Sequence, residues 1–336
     1  MASIARRGGL AARLLQQRIS GVLAFMVVLA AVFAAVAPHF GTLQNGEVVI
    51  SNAAILAIVA AAQGIVLITR NLDVSVGAMM GFAAYVTADF AAHHPQAGLL
   101  LPVIAVTLGG ALGAINGLLV AYGRISPLIA TLGTMSLYRG VTYIYAHGQE
   151  VTASRLPHWV LAFVDLRIAG VPALVLLSAI VVGMTAFFLR HLPLGRRIYA
   201  VGSNATASLF CGLRTERVVL FAYILCGVMC GFAGLLYAAR VGTVTVVLAS
   251  GWELSSLAAA VLGRISVAGG SGSVIGAALG AILLSMIDNG LVLLHIPEFW
   301  RIFVQGCAIV LAIAADGAVA RQVRLALRAQ RIARMP

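Results

Sequence analysis

Chemistry needs reactive side chains close together, and this sequence offers few. Its 336 residues hold ten carboxylates, seven histidines, four cysteines and no lysine. Without lysine a P-loop is excluded, because G-x-x-x-x-G-K-[ST] needs one to reach the nucleotide phosphates. The glycine-rich "GGSGSVIG" at 269–276 lacks the G-x-G-x-x-G spacing of a dinucleotide site. The histidines form no metal-ligand pattern, and His93 and His94 fall in a short turn between apolar segments. Cys226 and Cys230 stand one helical turn apart, as small packing residues would, with neither zinc nor haem spacing. No Ser/His/Asp set or carboxylate pair stands out. The sequence predicts no catalytic residues, no metal ligands and no cofactor of its own.

What remains is a handful of polar groups in apolar surroundings. Asp288 and Asn289 lie deep in an apolar run, where an ionisable group is costly and marks function by default. The alternative for Asp288 is a bond to a neighbouring helix or proximity to water. Arg139 sits in another apolar run and poses the same question. Asp73 in "NLDVSVG" is placed to cap a helix starting at Val74, its carboxylate on free backbone N–H groups. The stretch "LGRRIYAVGSNATASLFCGLRTERVV" at 194–219 crowds four arginines around a short polar segment. Ser203 or Asn204 could open a helix there, and Gly212 could close it as the C′ residue.

The elements around these residues are apolar helices. The chain is 62% hydrophobic with a mean hydropathy of +1.04, and 10% of its residues are charged, against about 25% in soluble domains. Apolar runs long enough to cross about 30 Å of hydrocarbon recur along it. The expected spans are 19–37, 52–69, 74–91, 99–122, 126–146, 171–190, 217–239, 253–264, 272–294 and 298–316. The fold class is therefore all-α, a polytopic transmembrane bundle of about ten spans. The eighth is short, and "GRISVAGGSGSVIG" after it implies irregular backbone at the membrane. Gly109, Gly113 and Gly117, and likewise Gly227 and Gly231, have the small-xxx-small spacing of close helix contacts. "GRIS" occurs at both 123–126 and 263–266, too short a match to call a repeat.

Arginine fixes the orientation. Ten spans put both termini on one side, with seventeen arginines there and four, Arg155, Arg167, Arg240 and Arg301, opposite. That asymmetry makes both termini cytoplasmic. It also accounts for the net charge of +12 without a nucleic-acid partner. The amino terminus imitates a signal peptide, but the run from Ile19 to Ala37 exceeds the usual apolar region and is read as an uncleaved first span. The outer loop at about 147–170 suits either a surface-lying amphipathic helix or a plain loop. The sequon at Asn204, Ala205 and Thr206 faces the cytoplasm and meets no glycosylation machinery.

Five segments in order resemble the bacterial ABC-transporter permeases for monosaccharides. "NLDVSVGAMMGFAAY" is similar to the family's (I/L)-D-(L/V)-S-V-G run, carried here by Asp73, Ser75 and Gly77. "INGLLVAYGRISPLIATLGTMSLYRG", which holds Asn116, and "GRRIYAVGSNATASLFCGL" match two further motifs. "GWELSSLAAAVLGRISVAGGSGSVIGA" and "FWRIFVQGCAIVLAIAAD" complete the set, which covers most of residues 50–316. The resemblance implies a type II ABC importer permease fold in the bacterial inner membrane. Its implied partners are an ABC ATPase subunit carrying ATP and magnesium, a second permease subunit and a periplasmic sugar-binding protein, with membrane lipid around them.

It also implies domains: a cytoplasmic basic segment 1–18, a permease domain 19–316 with a coupling loop 191–216, and a basic cytoplasmic tail 317–336. The coupling helix would run from Ser203 to Cys211, with Asn204, Ala207, Phe210 and Gly212 facing the ATPase, and the flanking Arg196, Arg197, Arg214 and Arg217 would offer partners to ATPase carboxylates. Asn116, Arg264, Asp288 and Asn289 are the candidates for the translocation pathway. Two departures stand out. Ala205 and Thr206 replace a common Pro-Glu, and Arg264 after Gly263 replaces a second glycine at a crowded position. "LITRNLDVSVG" and "IPEFWR" lean towards the rhamnose or autoinducer-2-like branch. The alternatives are an ion-coupled secondary transporter, or an ABC permease for nucleosides or branched-chain amino acids.

Overall fold

The computed structural model describes residues 22–307 and residue 310 of the chain. The basic segment 1–18 and the tail 317–336 lie outside the described residues. The helices are α1 (Val22–Val36), α2 (Leu43–Ile68), α3 (Val76–His93), α4 (Leu100–Ala121), α5 (Pro127–Ala146) and α6 (His158–Asp165). They continue as α7 (Ala173–His191), α8 (Pro193–Ser203), α9 (Ala205–Phe210), α10 (Thr215–Val241), α11 (Trp252–Leu262), α12 (Val274–Leu293) and α13 (298–307). Of these, α2, α4, α7, α10 and α12 are long and apolar enough to cross a bilayer. Most expected spans fall within about two residues of a helix, because apolar content alone sets their length. The exception is α2, which begins at Leu43 rather than 52. Thr42 caps it by accepting a hydrogen bond from the Asn45 backbone N–H at 3.2 Å, so a polar first turn still joins the helix.

Two helices form the centre. From Ala53 to Ile68 every residue of α2 is buried, as expected of a helix that is apolar all round. It packs against α12, α10, α11 and α7. Helix α10 packs on α4, α3 and α2. The two glycine stripes seen separately in the sequence are each other's partners. A side chain at Gly113 would overlap the Tyr223 carbonyl, one at Gly227 the Gly109 carbonyl, and one at Gly231 the Ala105 carbonyl. The α4 and α10 backbones therefore touch directly. The pair Gly263 and Gly276 repeats this between the end of α11 and α12.

Irregular backbone lies between α10 and α12. Residues 242–251 break the helical path before α11, which is only 11 residues long. Backbone carbonyls freed by such a break need partners. Arg139 of α5 supplies them, donating to the Leu248 carbonyl at 3.0 Å and the Ala249 carbonyl at 3.3 Å. Its guanidinium also stands 4.0 Å from Glu253. Gly77 and Gly81 of α3 leave room for this segment, since side chains there would meet Ala249 and Leu248.

The expected outer loop is folded. It holds a short 3₁₀ turn, α6 and a two-stranded hairpin, β1 (Arg167–Ile168) and β2 (Val171–Pro172). Val151 pairs with Val244 of the broken segment, and Trp159 donates to the Pro95 carbonyl at 2.8 Å. Arg167 grips Glu47 with two bonds of 2.9 Å. The pair is exposed, so it registers the hairpin on α2 rather than stabilising it much.

The glycine seam makes a direct prediction. Gly227→Leu forces α4 and α10 apart and lowers the melting temperature of the detergent-solubilised protein, at an overpacking cost of about 1–3 kcal/mol or more. Gly183→Leu, on an exposed face of α7 with open space around it, leaves it unchanged. Fluorescence-detected size exclusion after heating reads both.

Candidate functional site

The loop 191–216, expected to couple to an ATPase through one helix, contains two. Pro193 starts α8 at its first turn, a position where its missing N–H costs nothing. Ser203 is the last residue of α8, so of the two candidate caps Asn204 takes the role. Its side chain accepts from the Ala207 backbone N–H at 2.9 Å. At the other end Gly212 adopts φ +80. The Gly212 N–H reaches the Leu209 carbonyl at 2.9 Å and the Leu213 N–H reaches that of Ser208 at 3.0 Å, a Schellman closure. The six-residue α9 is thus capped at both ends and presents Leu209 and Phe210 to solvent, 56% and 86% exposed. Ala207, Arg196 and Arg197 are also exposed. Cys211 is exposed at its end, while Cys226 and Cys230 are buried in α10.

The inner face of α8 is fixed to two other elements. Gly202 lies on the Ile68 carbonyl at the end of α2, leaving no space for a Cβ. The same carbonyl accepts the Gly270 N–H at 2.8 Å. Arg70 donates to the Ser203 carbonyl at 2.8 Å, and Tyr199 to the Gly272 carbonyl at 2.9 Å. Burial pushes the Tyr199 phenol above its ordinary value, so it remains a protonated donor. The loop, the end of α2 and the glycine-rich turn before α12 form one contact.

Asp73 does not cap α3, which starts at Val76 rather than Val74 with Ser75 at its N-cap; it holds the turn before the helix. Its carboxylate accepts the Ser75 N–H at 2.9 Å, the Ser75 hydroxyl at 2.7 Å and the Asn116 amide at 3.1 Å. Tyr138 donates to Asn116 at 3.2 Å, and Tyr223 to the Leu72 carbonyl at 3.0 Å. Asp73, Ser75 and Asn116 have no exposed surface. The structure thus sets Asn116, expected on the pathway, inside a buried knot joining α3, α4 and α5. Its amide is fully used there, which leaves nothing to offer a solute. Tyr138, Tyr223 and Glu253 were not foreseen, because their partners lie on other helices.

Asp288 faces a cavity of about 600 Å³ between α2, α11, α12 and α13. Arg301 meets it at 3.2 Å and Gln305 donates at 3.4 Å. Across the cavity Arg240 donates to Asn52 at 2.7 Å. Trp252 and Tyr237 contribute aromatic faces, their ring centroids 4.7 Å apart. Asn289 is buried beside it with its side-chain oxygen unpartnered. Matching the intramembrane Asp288 to the nearest arginine across the turn at 294–297 would have found its partner in the sequence. The site can hold a small polar solute between aromatic faces and amide or hydroxyl groups, with two basic and two acidic side chains, Arg240, Arg301, Asp288 and Glu298, on its lining.

Comparison with known proteins agrees with this architecture. Residues 47–313 match a family described as the permease component of branched-chain amino acid transport systems. The chain is 34% identical to the ribose import permease protein of Escherichia coli K12 over 296 residues, 87% of this chain and 91% of that one. It is 37% identical to the autoinducer 2 import system permease protein of Escherichia coli O157:H7, over 87% of this chain and 85% of that one. The chain belongs to this permease family. No solved structure is matched.

The permease is a multi-pass helical protein of the inner membrane. Its departure at Arg264 has a different geometry from the one expected. The crowded residue is Gly263, whose α-carbon faces the Gly276 backbone. Arg264 is exposed and sits in the left-handed region at φ +64. It is the C′ residue of α11, with its N–H on the Val261 carbonyl at 2.8 Å and that of Ile265 on Ala260 at 2.9 Å. Arg124, in the other "GRIS" copy, is also left-handed, at φ +54. The two copies close their helices differently, since Arg264 is one residue beyond the cap Gly263 while Arg124 is two beyond the cap Tyr122.

Two predictions follow from these sites. Arg264→Gly removes a left-handed penalty of about 1 kcal/mol and raises the melting temperature of the permease by a few degrees in a thermal scan. Arg301→Gln removes the charged partner of Asp288 and, because the two side chains are 25% and 34% exposed at the cavity, costs about 1 kcal/mol, whereas Arg301→Gln with Asp288→Asn recovers most of it. Equal melting of the single and double variants would show that the two residues do not act as a pair.

Proposed function

We propose that this permease is the translocation subunit of an ABC importer for a monosaccharide. One observation carries the mechanism: the exposed, doubly capped α9 is joined through α8 to the ends of α2 and of the turn before α12, and both helices line the polar cavity. An ATPase subunit that binds ATP and magnesium docks on Leu209 and Phe210. Its closure displaces α8 together with Ile68, Arg70 and the 268–272 turn. Helices α2 and α12 then shift the walls that carry Asn52, Ser285 and Asp288. In this reading ten spans place both termini and α8–α9 in the cytoplasm, with the cavity towards the periplasm, where a sugar-binding protein delivers its cargo.

The cavity suits a neutral polyol. Trp252 and Tyr237 offer faces for the C–H side of a sugar ring, while Asn52, Ser255, Ser285 and Gln305 supply hydrogen bonds. The pairing of Asp288 with Arg301 leaves little net charge for an ion, so affinity is low and selection rests with the binding protein. Ion-coupled transport would need a free buried ionisable group, and both Asp288 and Arg139 are engaged. The description of the family favours a second reading, branched-chain amino acids, which would need an apolar side-chain pocket and separated charges. A ribose- or autoinducer-2-like cargo is the specific proposal, drawn from the names of the relatives.

Co-purification in mild detergent with mass spectrometry tests the assembly: an ATPase partner is expected, and its absence, under conditions that preserve a known ABC complex, would sink the reading. Uptake of labelled pentoses, 6-deoxyhexoses and leucine into proteoliposomes of the full complex then separates the cargoes. In those vesicles Asn204→Ala, which removes a cap worth about 1 kcal/mol, and Gly212→Val each lower cargo-stimulated ATPase activity while membrane insertion stays normal. Unchanged stimulation in both would remove α9 from the coupling path.

A further inference from the structure

Beside α9 lies a second cavity, of about 390 Å³, that shares Arg197 and Gly212 with the expected coupling surface but runs on along α10 to Val218 and Phe221. Arg197 of α8 and Arg214 and Arg217 at the start of α10 line its mouth. None of the three forms an ion pair among the described residues. The only adjacent acid is Glu216, which does not line the cavity. Arg214 stands at the N-cap position of the 27-residue α10 without a side-chain hydrogen bond, and its side chain lines the same cavity. Three guanidiniums converge on one small volume. That combination binds a phosphate-type oxyanion.

The rest of the wall identifies the source of the anion. Arg214, Arg217, Val218 and Phe221 follow at helical spacing along one face of α10. The charged mouth therefore passes within about 6 Å of helix rise to an apolar floor of Val218, Phe221 and Leu194. Phe221 is held in place against Phe188, with ring centroids 5.9 Å apart. A free phosphate or an acidic peptide would use the mouth alone. An amphiphile with a phosphodiester head and an acyl chain uses both parts. We infer that this cavity is a binding site for an anionic phospholipid of the inner leaflet, its phosphate on Arg197, Arg214 and Arg217 and its chain along Val218 and Phe221. Positive-inside topology requires arginines on this side of the membrane, but it does not require three around one apolar-floored cavity.

The inference rests on the cytoplasmic placement of α8–α9 in the proposed function, and its test does not depend on transport. The purified, delipidated full-length permease is titrated in mild detergent with phosphatidylglycerol or phosphatidylcholine of identical chains and read by native mass spectrometry. Phosphatidylglycerol is expected to bind about tenfold tighter, and R197Q/R214Q/R217Q to bring it down to the phosphatidylcholine level. Arg190→Gln, on the same side but outside the cavity, leaves binding unchanged. A melting scan establishes that the triple variant is folded, and Phe221→Ala separately weakens the adduct without removing charge. Equal binding of the two lipids, or an unaffected triple variant, would overturn the site. Displacement of phosphatidylglycerol by millimolar inorganic phosphate would show an anion site without lipid selectivity and would overturn it as well. Absence of an ATPase partner on co-purification, with these lipid results intact, would instead strike the transport reading.

Discussion

The direct contact of the α4 and α10 backbones is the constraint on which the remaining packing depends. Gly109, Gly113, Gly227 and Gly231 remove four side chains from one seam, so the two helix axes approach as closely as peptide groups permit. In a bilayer lipid tails offer no hydrophobic drive to bring helices together, and such contact is what association has to use. The closeness then sets other distances. Tyr223, whose carbonyl touches Gly113, reaches Leu72 with its hydroxyl. Asn116, between Gly113 and Gly117, reaches Asp73. The entry of α3 is thereby tied to the seam, and α3 in turn makes room for the broken segment at Gly77 and Gly81.

The polar groups obey a single rule, since hydrocarbon offers no water to satisfy them. Asp73 is surrounded by donors from Ser75 and Asn116, Arg139 is spent on the Leu248 and Ala249 carbonyls, and Asp288 meets Arg301. The first two sites hold the framework, with every strong group used locally. The third borders open space, and there the pair can exchange partners with a solute. Burial and access, rather than charge, separate the structural carboxylate from the one at the cavity.

That separation explains how far the sequence could be read. Helix positions were legible because apolar content and length are local properties, and the ends of α4, α5 and α12 fall within about two residues of expectation. The Gly212 ending was legible too, since only local geometry demands a residue with φ > 0. Partners were not. The glycine stripes of α4 and α10 were each visible, but nothing in the chain said that they face one another. Asn116 looked like a lone polar residue in an apolar run until tertiary packing set Asp73 and Tyr138 against it. Ser203 and Asn204 were equivalent caps on paper, and the choice fell to Asn204 because Ser203 is held in α8 by the contact of Gly202 with Ile68.

Helix endings carry one further regularity that joins local strain to topology. Six residues other than glycine take left-handed conformations at or just beyond helix ends: Arg70, Arg124 and Arg264 after α2, α4 and α11, and His39, His147 and His295 after α1, α5 and α12. A basic side chain at a helix C-terminus complements the negative end of the macrodipole. In the proposed ten-span topology every one of the arginine endings faces the cytoplasm and every histidine ending faces outward. A permanent charge at the arginine endings accords with the positive-inside rule. Each ending gives up about 1 kcal/mol of left-handed strain that glycine would avoid. The division of arginine from histidine follows the same positive-inside asymmetry, since Arg70, Arg124 and Arg264 are themselves among the seventeen arginines counted.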